Sequence, residues 1–201
     1  MLQYLVRGRG VRIIAGKWKG TPLAAPPGRH TRPTGDRVKE ALFSMIGPYF
    51  AGGRCLDLFA GSGALGLEAL SRGIEFAVFV DVKSASIVRR NVQRLQAEEA
   101  VQVLPVHYEK ALRRFDGEDK FDLVFLDPPY ALGVLPGVMH TLVERRLLRD
   151  GATVVAEMDR ATPAPEAPGL RLDKCGEYGA TRVCIYRAAA TVIGKVGQLE
   201  Y

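Results

Sequence analysis

Phe125-Leu126-Asp127-Pro128-Pro129-Tyr130 ends the apolar run that begins at Phe121. The run alternates Phe, Val and Leu with little polarity, which is typical of a strand buried on both faces. Proline has no N–H and a fixed φ, so neither proline extends a hydrogen-bonded ladder. We therefore expect the carbonyls here to face a cleft, at the strand end where open α/β sheets bind ligands. A plain strand-end turn is the alternative, because Asp-Pro is common in turns.

The segments around this strand repeat a strand–turn–helix pattern. Helix patterns follow four of the strand patterns, including residues 64–71 after the first and 134–148 after the fourth. A final pair of strand patterns brackets the hairpin signal Gly176-Glu177-Tyr178-Gly179. The strand patterns cover residues 55–59, 76–80, 101–106, 121–126, 152–158, 170–174 and 181–187. This order predicts an α/β fold: a doubly wound, mostly parallel, seven-stranded, Rossmann-like sheet with an antiparallel edge hairpin.

Three regions are predicted along the chain. Residues 1–35 form a basic N-terminal arm with a short hairpin that begins with a strand at 11–14, residues 36–187 form the α/β domain, and residues 188–201 form a tail. Nine Lys or Arg and one acid, Asp36, give residues 1–39 a net charge of +8, which leaves −2 for the rest of this +6 chain. A basic arm on a nearly neutral body indicates a polyanionic partner, and a solubilising tail is the alternative.

Composition excludes several classes of protein. No apolar run approaches the length of a membrane span and no leader precedes a cleavage site, so we expect a cytoplasmic protein without membrane contact. The three cysteines are odd in number and lack metal spacing, which suits a reducing compartment. The three histidines are scattered, so we expect neither a metal site nor a His-based triad.

A glycine-rich loop follows the first predicted strand of the domain. Gly61-Ser62-Gly63-Ala64-Leu65-Gly66 fits the pattern G-x-G-x-x-G between a strand and a helix, and Asp81 lies twenty residues beyond Gly61. In such folds the loop approaches a nucleotide and the acid binds ribose hydroxyls, so a nucleotide-like cofactor is predicted. Glycines that serve a tight turn alone are the alternative.

The identity of the cofactor depends on Asp57. NAD and S-adenosylmethionine both present adenosine and ribose to such a crevice, but a carboxylate just before the loop would repel a pyrophosphate. The same carboxylate suits the cationic amino group of S-adenosylmethionine. An NAD enzyme would also need a hydride partner, and no histidine lies at a strand end in the expected way. These points favour a methyl donor.

The Asp127–Tyr130 segment suits methyl transfer to an exocyclic amine of a nucleobase. The Asp127 carboxylate and the Pro128 carbonyl can accept the two amine hydrogens and direct the nitrogen lone pair toward the methyl carbon. Tyr130 can stack on a base that has left its helix. No covalent intermediate is required.

The chain resembles the RsmD family, the S-adenosylmethionine-dependent guanine methyltransferases of small-subunit ribosomal RNA. The resemblance spans residues 11–187 and rests on the segments 57–73, 12–16, 31–34 with 37–43, 127–130, and 178–182 with 185–186. It implies a class I methyltransferase fold and transfer of a methyl group to the 2-amino group of a guanine in 16S RNA. We also expect a monomer whose partner is ribosomal RNA within a small-subunit particle.

The resemblance assigns site residues to three groups. Asp127, Pro128, Pro129 and Tyr130 are the implied catalytic residues. The implied cofactor-binding residues are Asp57, Phe59, Gly61, Ser62, Gly63, Asp81, Glu109, Arg32 and Thr34. Glu109 takes the place of an Asp that the family carries near the adenine amine, and Val82-Lys83 departs from the polar residue usual after the ribose acid. The implied RNA contacts are Arg12, Lys17, Lys19, Arg32 and Arg37.

Alternatives remain at two levels. A DNA adenine methyltransferase also uses Asp-Pro-Pro-Tyr, although the chain lacks an obvious target-recognition domain. A non-catalytic RNA-binding module with a degenerate cofactor site is supported only by the departures at Val82-Lys83 and Tyr108-Glu109-Lys110. Among single residues, Trp18 is expected to pack in the arm, and Arg32 and Arg37 are solvated charges in the alternative view. Glu157 faces the same cleft but is not counted among the site residues.

Overall fold

A computed structural model of the protein describes residues 11–26 and 36–190. Its strands are β1 (Arg54–Asp57), β2 (Phe76–Val80), β3 (Val101–Leu104), β4 (Phe121–Leu126), β5 (Leu148–Asp159), β6 (Leu170–Tyr178) and β7 (Thr181–Ala188). Its helices are α1 (Asp36–Ile46), α2 (Ala64–Ser71), α3 (Ala85–Leu95), α4 (Tyr108–Arg114) and α5 (Leu135–Glu144). Single 3₁₀ turns occupy Glu98–Ala100 and Tyr130–Leu132.

The seven strands form one sheet in the order β3-β2-β1-β4-β5-β7-β6. The first five are parallel, β7 is antiparallel to β5, and β6 pairs with β7 as the edge hairpin. The predicted α/β fold is therefore confirmed. The strand order reverses between β1 and β4, and a doubly wound sheet offers a crevice for ligands at such a point.

Helices cover both faces of this sheet. One core contains apolar residues of α1, α2 and α3, and it includes the Phe43 and Phe125 rings with centroids 5.9 Å apart. The other core contains residues of α4 and α5, with Phe115 and Phe121 at 5.3 Å. Neighbours along β5 alternate between the two cores, as a strand requires. Asp57 and Phe125 are register partners, so the α1 side of the sheet is also the side on which the β1 carboxylate lies.

Several predicted boundaries differ from the structure. β2, α2 and β4 have the predicted bounds, but α5 ends at Glu144 rather than near residue 148. Arg146 takes a left-handed φ of 55°, which no helix continues, and β5 begins at Leu148. The hairpin turn is shorter than predicted, because β6 runs through Tyr178 and only Gly179 and Ala180 connect the strands. The expected strand at 11–14 is reduced to one isolated bridge between Arg12 and Pro22.

The described part of the basic arm, residues 11–26, packs on α2 and α3. Ile13 is fully buried, and the Glu68 carboxylate of α2 accepts hydrogen bonds from the backbone N–H groups of Ile14 and Ala15 at 2.8 and 2.9 Å. Trp18 packs against the α1-side core, as predicted. The first and last segments of the chain and the connector at 27–35 lie outside the described residues.

Two of the three cysteines are paired. Cys175 of β6 and Cys184 of β7 are register partners and form a disulfide, while Cys55 is a buried free thiol. An odd cysteine count does not reveal such a pair, because cross-strand register decides which residues face each other. Within residues 11–26 and 36–190, no helix has the length and apolar character needed to cross a membrane.

Candidate active site

Three carboxylates meet at the carboxyl ends of adjacent strands. Asp57 is the last residue of β1, Asp81 follows β2, and Asp127 follows β4. Asp57 pairs in register with Phe79 and with Phe125, so Asp81 and Asp127 each lie two residues further and on the same face of the sheet. The three acids of the predicted site thus end neighbouring strands at one edge of the sheet, and their roles stay a prediction.

Asp57 is almost completely buried. Its side chain is 3% exposed, and its Oδ2 accepts a hydrogen bond from the Gly66 N–H at 3.1 Å. Burial raises the pKa of Asp57 to about 7, and the charges of Asp127 and Asp81 add to the rise, while the Gly66 bond opposes it. A carboxyl group with a pKa of about 7 is only partly ionised at neutral pH. A cation that enters the site stabilises the ionised form and so lowers this pKa.

The glycine loop owes its path to conformations that other residues rarely adopt. Gly61 and Gly63 have φ of 55° and 77°, and Gly63 immediately precedes α2. A Cβ on Gly61 would meet no heavy atom within 4 Å, so the loop offers open space there for a ligand. A Cβ on Gly66 would lie 2.4 Å from Phe79 Cε1, so this glycine lets α2 approach β2.

Asp81 joins the end of β2 to the glycine loop. Its Oδ1 accepts the N–H groups of Lys83 and Ser84 at 2.8 and 2.7 Å, and its Oδ2 accepts the Gly61 N–H at 3.0 Å. A carboxylate has about four acceptor positions, so these three bonds leave room on Oδ2 for one hydroxyl. Val82 beside it is 46% exposed.

A buried asparagine that is absent from the predicted site supports the same loop. Asn91 of α3 is fully buried, and its Nδ2 donates to the carbonyls of Ser62 at 2.8 Å and Ala24 at 2.9 Å. Its Oδ1 accepts the Ala24 N–H at 2.7 Å. The glycine loop and the arm are thus held by one side chain. The available signal is an amide on the apolar face of an amphipathic helix, where a polar group needs partners.

Two aromatic rings lie on the other side of the loop. The Phe59 and Tyr108 ring centroids are 5.2 Å apart, and both rings pack on the α5-side core. Glu109 is exposed and bonds the Tyr108 hydroxyl. Burial, followed by this carboxyl group, raises the pKa of Tyr108. Glu109 as an adenine contact stays a prediction.

The Asp-Pro-Pro-Tyr segment turns sharply after β4. Asp127 is exposed, Pro128 is buried, and Tyr130 begins a single 3₁₀ turn. The Pro129 carbonyl accepts the Leu132 N–H at 3.0 Å, so the expectation that the carbonyls face a cleft unpaired is wrong for Pro129. The turn is the cause, because a 3₁₀ turn takes its first carbonyl as an acceptor.

Tyr130 carries two contacts that the sequence analysis does not predict. Its hydroxyl lies 3.0 Å from Thr181 Oγ1 and donates to Glu157 Oε1 at 3.4 Å. Burial, opposed by the Thr181 bond and aided by the nearby carboxylates, raises the pKa of Tyr130 to about 12. Glu157, left out of the predicted site, therefore contacts one of the predicted site residues. Burial and the Asp127 charge raise the pKa of Glu157 to about 8.

The predicted RNA-contacting residues differ in their exposure and in their partners. Lys17, Lys19 and Arg37 are exposed, and the Lys17 Nζ lies 4.1 Å from the Trp18 ring centroid. Arg12 forms a 2.6 Å ion pair with Asp36, which offsets part of its charge. Arg32 and Thr34 lie outside the described residues.

Comparisons with known proteins give one consistent result. A family model described as conserved hypothetical protein 95 matches residues 11–187. A putative rRNA methyltransferase, YlbH of Bacillus subtilis, is 45% identical over 88% of this chain and 98% of its own length. Ribosomal RNA small subunit methyltransferase D of Haemophilus influenzae is 38% identical over 76% of this chain and 81% of its own. The structure of putative methyltransferase yhhF from Escherichia coli superposes with a TM-score of 0.79 at 30% identity, covering 90% of this chain and 98% of that one.

Proposed function

The chain belongs to the RsmD family, and from this membership we propose that it transfers a methyl group from S-adenosylmethionine to the 2-amino group of a guanine in small-subunit (16S) ribosomal RNA. The observation that carries the proposal is the position of Asp127-Pro128-Pro129-Tyr130 at the end of β4, directly beside β1 and its glycine loop. This position supports the proposal that an amine-accepting group lies next to a nucleotide crevice.

The donor groups of the crevice fit S-adenosylmethionine. Asp57 is a buried carboxylate that a cationic amino group would ionise fully, and Asp81 keeps one acceptor position for a ribose hydroxyl. The open space at Gly61 lets a ligand approach the loop backbone. We propose that Phe59, Ser62, Gly63 and Glu109 complete the wall from the described residues, with Arg32 and Thr34 closing over it.

The chemistry of transfer then rests on the β4 end. The bound cofactor supplies an electrophilic methyl group on a positively charged sulfur. The Asp127 carboxylate and the Pro128 carbonyl would accept the two hydrogens of the guanine amine, which aims the nitrogen lone pair. Tyr130 would stack on the base. Asp127 also stabilises the positive charge that develops on the nitrogen during transfer.

The substrate class is supported by the basic arm. Exposed Lys17 and Lys19 stand on a segment that Glu68 and Asn91 fix to the domain, so their charges have defined positions on its surface. Phosphate contacts of this kind give affinity without base readout. The proposal includes a monomer in the cytoplasm that acts on RNA within a small-subunit particle, with residues 1–35 as the arm and 36–187 as the catalytic domain.

Methyl transfer from radiolabelled S-adenosylmethionine to undermethylated small ribosomal subunits tests the proposal. Nuclease mapping of the product should place the label on a guanine, and Asp127→Ala should lose it. Glu99→Ala, in an exposed 3₁₀ turn before β3, is the matched control and should retain it. Label that appears on DNA adenine and not on RNA would replace the proposal with a DNA methyltransferase. Cofactor binding without label on any nucleic acid would leave a non-catalytic module.

A further inference from the structure

The edge hairpin touches the proposed catalytic segment at one side chain. Thr181 is the first residue of β7, and its Oγ1 lies 3.0 Å from the Tyr130 hydroxyl. Glu157 of β5 reaches the same hydroxyl at 3.4 Å, which is the weaker contact by distance. Tyr130 therefore has its ring tip tied to two strands that lie outside the β1–β4 crevice.

These two hydrogen bonds matter because the backbone at Tyr130 does little to restrict the orientation of its ring. The residue begins a single 3₁₀ turn, and its side chain is 41% exposed. A half-exposed ring on one turn of helix can take more than one rotamer. Stacking on a base needs one orientation of the ring, so a contact at its far end restricts the choice directly.

The turn that carries Thr181 is itself held firmly. Arg182 donates to the Thr162 carbonyl at 2.8 Å and pairs with Glu177 at 2.9 Å, and Arg160 pairs with the same carboxylate at 2.8 Å. The Arg160 N–H also donates to the Ala180 carbonyl at 2.8 Å. Thr181 is β-branched, so its χ1 is stiff and the position of its hydroxyl is well defined.

We propose that Thr181 is a positioning residue of the base site: with Glu157, it fixes the Tyr130 ring in the orientation that receives the target guanine. The inference rests on the proposed function and extends it to the edge hairpin, whose segment Tyr178–Arg182 otherwise has only a structural part. Loss of the Thr181 hydroxyl frees the ring and misaligns the base, while the cofactor crevice stays intact. The turnover number should fall and the KM for S-adenosylmethionine should not change.

Steady-state methylation of small subunits by a set of variants tests this. Thr181→Val keeps the shape and removes the hydroxyl, and it should lower kcat about tenfold. Thr181→Ser restores a hydroxyl and should recover most of the rate. Thr141→Val, on α5, removes a hydroxyl that bonds the Gly137 carbonyl of its own helix, and it serves as the control. Wild-type kcat in Thr181→Val would overturn the inference.

Tyr130→Phe removes the Thr181–Tyr130 hydrogen bond by deleting the tyrosine hydroxyl, and it leaves β7 unchanged. This variant replaces Thr181→Val in the test if Thr181→Val folds poorly. Because Tyr130→Phe already removes the Thr181 bond together with the Glu157 bond, the double variant should be no slower than Tyr130→Phe alone. Additive losses would overturn the inference. If the wild type labels no RNA, the proposed function has failed. The double-mutant cycle of Thr181→Val and Tyr130→Phe is then measured by thermal unfolding. Non-additive shifts in Tm support the contact between Thr181 and Tyr130, and additive shifts refute it.

Discussion

Asp127 and Glu157 stand side by side at the carboxyl ends of β4 and β5, because the parallel register pairs Leu126 with Ala156 directly before them. Glu157 is the more enclosed of the two carboxyl groups, and the charge of Asp127 adds to burial in raising its pKa to about 8. The base site therefore combines the Asp127 charge with a Glu157 carboxyl that is largely protonated at neutral pH. This asymmetry has consequences for stability that can be measured.

Glu157→Gln should remove a pH-dependent part of the stability. A carboxyl group whose folded pKa is raised binds a proton that the unfolded chain releases, so stability falls as pH rises from about 4.5 to about 8. Each pKa unit corresponds to about 1.4 kcal/mol. The variant should gain stability relative to the wild type across this window, in urea unfolding at a series of pH values. A constant difference between the two proteins at every pH would contradict the raised pKa.

Asp57→Asn should weaken cofactor binding and change its pH dependence. The amide oxygen can still accept the Gly66 N–H, so the loop is retained while the charge is lost. Since the pKa of Asp57 is raised to about 7, wild-type affinity for S-adenosylmethionine should increase from about pH 6 to about pH 8 as the carboxyl ionises. In calorimetry the variant should bind about tenfold or more weakly at the upper end of this range, without that increase.

The matched control for this experiment is Asp122→Asn. Asp122 is on β4 near the opposite end of the strand, where its carboxylate accepts the Arg54 N–H. Its substitution should leave affinity and pH dependence as in the wild type. Equal losses in both variants would show that Asp57 acts through general stability and not through the ligand.

The parallel half of the fold follows from local patterns in the sequence. β2, α2 and β4 have their predicted bounds because short apolar runs and glycine breaks lie next to each other in the chain. The shared position of Asp57, Asp81 and Asp127 is equally predictable, since parallel strands end at one edge. Each of these features depends on the local pattern and on one rule of topology.

The features that sequence analysis missed depend on register and on long-range contacts. Glu157 was expected to face the cleft, but its contact with Tyr130 depends on its pairing beside Asp127. Thr181 reaches Tyr130 because the antiparallel register sets the start of β7 against the end of β5. The Cys175–Cys184 pair has the same origin in strand register. Glu68 lies in an otherwise apolar helix pattern, which does not show what its carboxylate binds. Its burial is explained by the arm that packs on α2 and donates N–H groups to it.

Glu68→Ala should destabilise the domain and release the arm. Glu68 is fully buried between Lys39 at 3.3 Å and Arg72 at 2.8 Å, and burial lowers the pKa of Lys39 despite this partner. Removal of the carboxylate leaves two buried cations without an ion-pair partner and two arm N–H groups without an acceptor. The free energy of unfolding should therefore fall by about 3–5 kcal/mol. Urea unfolding measures the loss, and limited proteolysis within residues 11–26 reports the release. Glu75→Ala, an exposed acid after α2, should shift stability by less than about 0.5 kcal/mol.

Replacing Lys17 and Lys19 together by alanine should weaken RNA binding and make it less sensitive to salt. Both side chains are exposed, and the backbone between them is fixed by bonds of Lys17 N–H and Trp18 N–H to Ser71. Each phosphate that a lysine no longer neutralises should reduce the slope of log affinity against log salt by about 0.7 to 0.9. Binding of small-subunit RNA at several salt concentrations gives this slope. Lys174→Ala, exposed on the edge strand β6, should leave it unchanged. An unchanged slope in the double variant would mean that the charge of the arm serves solubility and not RNA.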